Sequence, residues 1–252
     1  MVDKDLLTFT MRIEEIMTRV KNDQRVEYLD FLNESEQVIL ERIVRNADDI
    51  SVIFEGGFSG SERRRAVIYP SHMTTDAIET KVSLYKIEVI EEKKEKKLTH
   101  SQVLGSLMGL NIDRSLIGDI TVDTKGAFFA SVSEFDEFLK EHFTKVGRFD
   151  VRLVIQHEPV EREVRVEDQE IIVSSMRLDV IVKTLMNVSR KKAEEYLEQG
   201  FVRHNHSVEK STTKNCRVGD ILSIRRHGRF KIARNKKTTK GGKIVLVVSK
   251  SV

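Results

Sequence analysis

The sequence is poorest in the features that would place it outside a reducing, aqueous compartment. It holds one cysteine, Cys216, in 252 residues, so no intrachain disulfide can form and a reducing cytoplasm is the expected setting. Its longest strongly apolar run is the five-residue IVLVV at 244–248, far short of the roughly 20 residues a membrane-spanning helix needs. The N-terminus, MVDKDLLTFTMRIEE, has acids where a secretory signal needs a basic start and an apolar core. No metal-ligand spacing joins Cys216 to the seven histidines, no serine occupies a nucleophile elbow, and no GxGxxG follows a strand pattern. The expectation is therefore for no catalytic residue, no metal and no cofactor.

What is present is charge, unevenly spread. The formal net charge is only +3, yet from Met176 onward 19 Lys and Arg face 6 Asp and Glu, whereas the residues before carry 24 against 34. A basic third joined to an acidic body is the footprint of a nucleic-acid-binding module attached to a body with another task. A solvated lysine-rich tail is the plainer alternative.

Periodicity divides the chain into three α+β units. Residues 1–75 open with apolar positions at three and four (Leu6, Phe9, Ile13, Ile16, Met17, Val20), repeat the pattern in NESEQVILERIVRN, and continue as two strands joined by EGGFSGSERRR. That loop lacks the Gly-Lys-Ser/Thr ending of a phosphate cradle and is expected to be a long hairpin turn. Residues 80–158 follow the order β-α-β-β-α-β, with a helix capped at Thr99, the split βαβ or ferredoxin-like arrangement that RNA-recognition modules share with unrelated proteins. Adjacent Phe128 and Phe129 point to opposite faces, so at most one can be a stacking platform, and both are expected mainly as core. EEKKEKKLTH (91–100) is expected as a solvated loop or an extended strand end, and PVEREVRVEDQE (159–170) as a strand-like linker.

The third unit, 174–252, contains SRKKAEEYLEQGFVRHN. Ser189 is the expected N-cap of a short helix and Gly200 its stop, yet Arg190, Lys191 and Lys192 fill its first turn, where the helix dipole disfavours cations by about 0.3–1 kcal/mol. Pairing of Arg190 with Glu194 and Lys191 with Glu195 would offset this weakly, because the cation precedes the acid. A phosphate at the helix mouth would turn the liability into attraction. On a helical wheel Lys191 points away from the buried arc of Ala193, Tyr196 and Leu197, and is the weakest candidate of the three.

Taken in order, SxRLDxxV, SRKKAxxxLxxGxVxxN and VGDxLSIRxxGRFKI closely resemble the RNA-binding domain named after ribosomal small-subunit protein S-four, also called the αL motif, over about 174–232. With LTHSQVLGSLMGLNIDRSLIGDITV upstream, nearly the whole chain resembles the YlmH family of bacterial RNA-binding proteins. That resemblance implies phosphate-positioning or stacking roles for Arg177, Arg190, Lys191, Lys192, Arg203, Arg225, Arg226, Arg229 and Lys231. It also implies a partner in structured RNA, rRNA or tRNA on the large ribosomal subunit, and a genetic link to cell division. Beyond the motif, Lys236, Lys237, Lys240 and Lys243 surround a Gly-Gly turn that either lies along a phosphate backbone or stays solvated. In VRHNHSVEK, His204 and His206 replace plainer residues, so either one titrates or stacks, or both are surface residues without a task.

Two other classes compete. S-four-type domains accompany pseudouridine synthases, and Asp150 in GRFDVRLV faintly resembles their catalytic aspartate, although the flanking Thr and Gly-Leu-Leu are missing and the body is too short. The chain could also be a division-machinery adaptor whose acidic body binds a protein partner. His100 is expected in a helix-capping region. Asp113, Arg114 and Asp119 either form a functional surface or simply hold a loop by Asp turn-bonding.

Overall fold

The computed structural model describes residues 4–90, 98–157, 160–161, 166–205 and 207–251. Residues 91–97 of the mixed-charge run, Pro159, residues 162–165 and His206 lie outside the described residues. The chain divides into two units, Met1–Glu163 and Val164–Val252, so the N-terminal elements and the middle sheet, read separately from the sequence, fall together. Among the described residues no helix is long and apolar enough to cross a membrane.

The first unit begins with α1 (Lys4–Asp23), β1 (Glu27–Leu32), α2 (Glu34–Val44), β2 (Ile50–Glu55), β3 (Phe58–Ser59) and β4 (Arg64–Pro70). The α1 positions Ile13, Ile16 and Val20 are buried against Leu40 of α2 and Ala66 and Ile68 of β4. Asn33 and Glu36 close a capping box that starts α2. Two helices and a hairpin were expected; the sheet instead has three strands in the order β1-β4-β2. A bulge between Tyr28 and Phe31 buries Leu29, Phe31 and Leu32 together and erases the alternation by which β1 would have been recognised.

The unit continues with β5 (Val82–Val89), α3 (His100–Gly109), β6 (Ile117–Val122), β7 (Ala127–Val132), α4 (Asp136–His142), β8 (Lys145–Val146) and β9 (Phe149–Gln156), with sheet order β6-β7-β5-β9-β8. Apart from the two-residue β8, this is the interleaved order of a split βαβ fold. On the helix side Phe129 stacks on Tyr85 with centroids 5.0 Å apart. The opposite face, which an RNA-recognition module would leave open, is covered. Phe128, Leu84, Ala130 and Val132 pack there with Phe31 and Phe58, and β10 (Val160–Glu161) pairs in parallel with β3.

Asp119 holds the cover in place, accepting from the backbone N–H of Glu62 at 2.6 Å and of Arg63 at 3.3 Å. Arg63 in turn donates to the carbonyls of Phe31 at 2.8 Å and Ile117 at 3.2 Å. Asp113 accepts from the Ser115 N–H at 2.8 Å, and Arg114 donates to the Ile117 and Gly118 carbonyls. Of the two readings of NIDRSLIGD, the loop-holding one has these bonds behind it. Burial, with repulsion from Arg63, brings Arg114 down to about 10.

Two glycines permit the close approach. A Cβ on Gly57 would stand 3.0 Å from Ala130 Cβ, and one on Gly118 only 2.6 Å from the Phe31 ring. Gly118→Ala is expected to destabilise the protein by about 1–3 kcal/mol, measured as a lower urea midpoint. Gly105→Ala, on α3 with open space around it, is expected to raise stability by up to about 1 kcal/mol.

The second unit comprises β11 (Val166–Val173), α5 (Leu178–Met186), α6 (Arg190–Glu198), β12 (Val202–His204), β13 (Ser207–Val208), β14 (Ile221–Ile224), β15 (Gly228–Thr238) and β16 (Ile244–Ser251). Its sheet runs β11-β16-β15-β14-β12-β13. Leu178, Ile181 and Val182 of α5 and Ala193 and Leu197 of α6 form one core with Leu222, Ile224, Phe230 and Ile232 of the sheet. The end of the segment read as a linker is β11, paired with β16 along its whole length. Its alternation of Val and charge is that of an edge strand buried on one side only at its C-terminal end, at Ile171 and Val173.

Candidate nucleic-acid interface

The interface starts from a buried carboxylate. Helix α5 begins after Arg177 as N-cap. Its first turn carries Asp179, which is fully buried, a position that favours an acid by the helix dipole. Arg177 meets it with two bonds, Nε to Oδ1 at 3.0 Å and Nη2 to Oδ2 at 3.1 Å. Arg190, from the first turn of α6, adds Nε and Nη2 at 3.0 and 2.8 Å to Oδ2.

Asn187 ends α5 in the left-handed conformation, with φ 52°, and leaves only Val188 before the Ser189 cap. That tight corner is what brings Arg190 back over the start of α5. Burial pushes the Asp179 carboxyl up, but the bonds and charges of Arg177 and Arg190 outweigh it and hold the group below its ordinary value. Sequence reading missed Asp179, because an acid in the first turn looks like routine dipole matching.

The cations of SRKK thus divide by task. Arg190 is shared between Asp179 and Glu194, the latter at 3.1 Å. Lys192 pairs with Glu195 at 2.9 Å, taking the acid that was expected to serve Lys191. Lys191 is exposed and, among the described residues, makes no ion pair. The side chain judged weakest as a docking cation is therefore the one left available at the helix mouth, beside a backbone whose Lys192 N–H bonds the Ser189 hydroxyl at 3.3 Å.

Beyond Gly200, which takes φ 71°, the sheet arranges the remaining cations. Arg203 of β12 lies opposite Ser223 of β14, and Ser223 opposite Arg229 of β15. The next row pairs Ile221 with Lys231. Alternation buries Val202, Leu222, Ile224, Phe230 and Ile232 against the helices, so Arg203, Arg229 and Lys231 occupy the other face. With strands about 4.8 Å apart, Arg203 and Arg229 are separated by roughly 10 Å across a small serine. Arg203, Lys231 and Lys237 are exposed and make no ion pair among the described residues. Lys236 instead bonds Glu170 of β11. Lys240 and Lys243 lie exposed at the turn between β15 and β16.

The β14–β15 turn contributes Arg225, Arg226 and His227. Arg226 is left-handed, with φ 67°, a conformation that favours glycine. The Arg225 guanidinium lies over the Phe201 ring, 4.6 Å from its centroid. His204 is half-buried, with its Nε2 2.7 Å from Asp220 Oδ2. That same carboxylate accepts from the Arg217 N–H at 2.7 Å and the Asn205 amide at 2.9 Å.

Asn205, with φ 47°, takes the place a glycine would hold in that turn. Cys216 approaches the pair closely enough that the potential ligand atoms of all three residues lie within 4.8 Å. The Asp220 oxygens already hold three donors, however, and burial with the Asp220 charge pushes the Cys216 thiol up to about 12. The grouping is a hydrogen-bonded turn that sequence spacing did not show. Asp150 sits on β9 with Lys145 Nζ 3.5 Å away, and His100 opens α3 beside the Thr99 cap.

The Asp179 network makes a test. A depressed folded-state value means stability present above the ordinary aspartate range, near pH 4, and lost as pH falls through the lower folded value. Asp179→Asn is expected to cost about 3 kcal/mol at pH 7, with the gap to the parent protein narrowing below pH 4. Denaturant titrations at the two pH values measure it.

Residues 78–159 match the family described as a putative RNA-binding domain in YlmH, and residues 176–222 match the S4 domain. A curated relative, "Ribosome-associated protein quality control protein P2" of Bacillus subtilis, is 28% identical over 95% of this chain and 93% of its own length. A solved structure, "Cell division protein ylmH from Streptococcus pneumoniae", superposes with a TM-score of 0.52 at 24% identity, over 62% of this chain and 93% of that one; the likeness is one of fold. The chain is thus an α+β protein that carries, in this order, a domain matching the putative RNA-binding domain in YlmH and a C-terminal S4 domain.

Proposed function

We propose that the chain is a non-catalytic RNA-binding protein that grips rRNA or tRNA on the large ribosomal subunit through the second unit, acting in ribosome-associated quality control or a neighbouring step of translation. The observation that carries this is the sorting of cations there. Arg177 and Arg190 are used on a buried acid, while Lys191, Arg203 and Lys231 stay exposed and, among the described residues, outside any ion pair. Such side chains attract phosphate without first breaking an internal contact. The name of the Bacillus subtilis relative, which spans nearly the same length, supports the ribosomal setting.

The synthase-like alternative has only Asp150, a half-exposed carboxylate on a surface hairpin beside Lys145. The adaptor alternative and the link to division rest on no residue of the site.

Binding of full-length protein to purified 50S subunits and to total tRNA, measured across a salt series, tests the reading. Affinity should fall steeply with salt. Lys191→Glu and Arg203→Glu should each weaken binding and reduce the salt slope by about 1, with unchanged thermal stability. Affinity indifferent to salt and to both substitutions would contradict it.

A further inference from the structure

Of the three Phe and Tyr residues in the second unit, only Phe230 is buried in its core. The other two gather at one cationic corner. Tyr196 of α6 and Phe201 meet edge to face, with centroids 5.6 Å apart and planes at 80°. The His227 ring lies 6.0 Å from Tyr196, Lys192 Nζ lies 5.9 Å over Tyr196, and Arg225 covers Phe201. Tyr196 also packs on the core, whereas the ring contacts of Phe201 are Tyr196 and Arg225.

The backbone fixes this arrangement, because the Arg225 N–H donates to the Phe201 carbonyl at 2.9 Å. Arg225 is exposed and, among the described residues, has no carboxylate partner. Its guanidinium is therefore held by a ring on one side and open on the other. A phosphate contact would not need that aromatic backing. A planar cation presented in this way suits an unpaired base, which stacks on Arg planes and aromatic rings and is sequence-tolerant because every base has a π-face.

We infer that Arg225, backed by Phe201 and flanked by Tyr196 and His227, is a stacking site for one unpaired nucleobase. The inference rests on the RNA-binding reading and adds to it a preference for looped or bulged RNA over continuous duplex.

The test uses full-length protein and two RNA probes of equal length and charge, a stem-loop with unpaired loop bases and a fully paired duplex. Arg225→Lys keeps the charge and removes the plane; Phe201→Leu removes the backing ring. Each is expected to weaken stem-loop binding about tenfold, leaving duplex affinity and the stem-loop salt slope unchanged. Equal losses on both probes, or none on the stem-loop with Arg225→Lys, would overturn the stacking site while leaving salt-dependent binding intact. Absence of salt-dependent affinity in the parent protein would overturn the RNA-binding reading and the stacking site together.

Discussion

Burying the Asp179 carboxylate at the start of α5 is tolerable only because Arg177 and Arg190 both reach it, and that requirement fixes how α6 approaches α5. An unpaired buried charge would be strongly destabilising. The corner at Asn187 and Val188 has to be short, and the first turn of α6 has to carry a cation against its own dipole. Once Arg190 is committed inward, Ser189 caps the helix and Lys191 is turned outward by the same helical geometry. Cations at the wrong end of the helix thus serve two ends, one pinning the fold and another left exposed.

The first unit shows why fold and function are separate conclusions. Its middle sheet has the strand order of RNA-recognition modules, yet the face that would stack bases is filled by Phe31 and Phe58 from the N-terminal elements. Gly57 and Gly118 allow contact too close for a side chain. Whatever RNA the middle domain meets, it does not meet through Phe128 while that cover is in place. The second unit reverses the arrangement: its helices cover one sheet face and Arg203, Arg229 and Lys231 occupy the other.

Much of this was legible in the sequence where a local rule decides the outcome. Thr99, Ser189 and Gly200 start and stop helices as their chemistry dictates, and two strands flank the turn at Thr124 to Gly126 as read. Features that depend on distant contacts were hidden. The bulge in β1 erased its period, β11 resembled a linker because it is an edge, and no local pattern marks Asp179 as buried. The pairing of Lys192 rather than Lys191 with Glu195 depends on rotamers that no wheel shows. The Phe201–Arg225 contact joins residues 24 positions apart through a backbone bond just before β12 and just after β14, and spacing does not reveal it.

The central claim is that RNA is held by the exposed cations of the second unit. Ultraviolet crosslinking of the full-length protein to RNA in ribosomal fractions, with mass spectrometry of the crosslinked peptides, tests it most directly. The account predicts crosslinks on peptides spanning Lys191 to Arg203 and Arg225 to Lys243. Crosslinks confined to peptides of the first unit would contradict it.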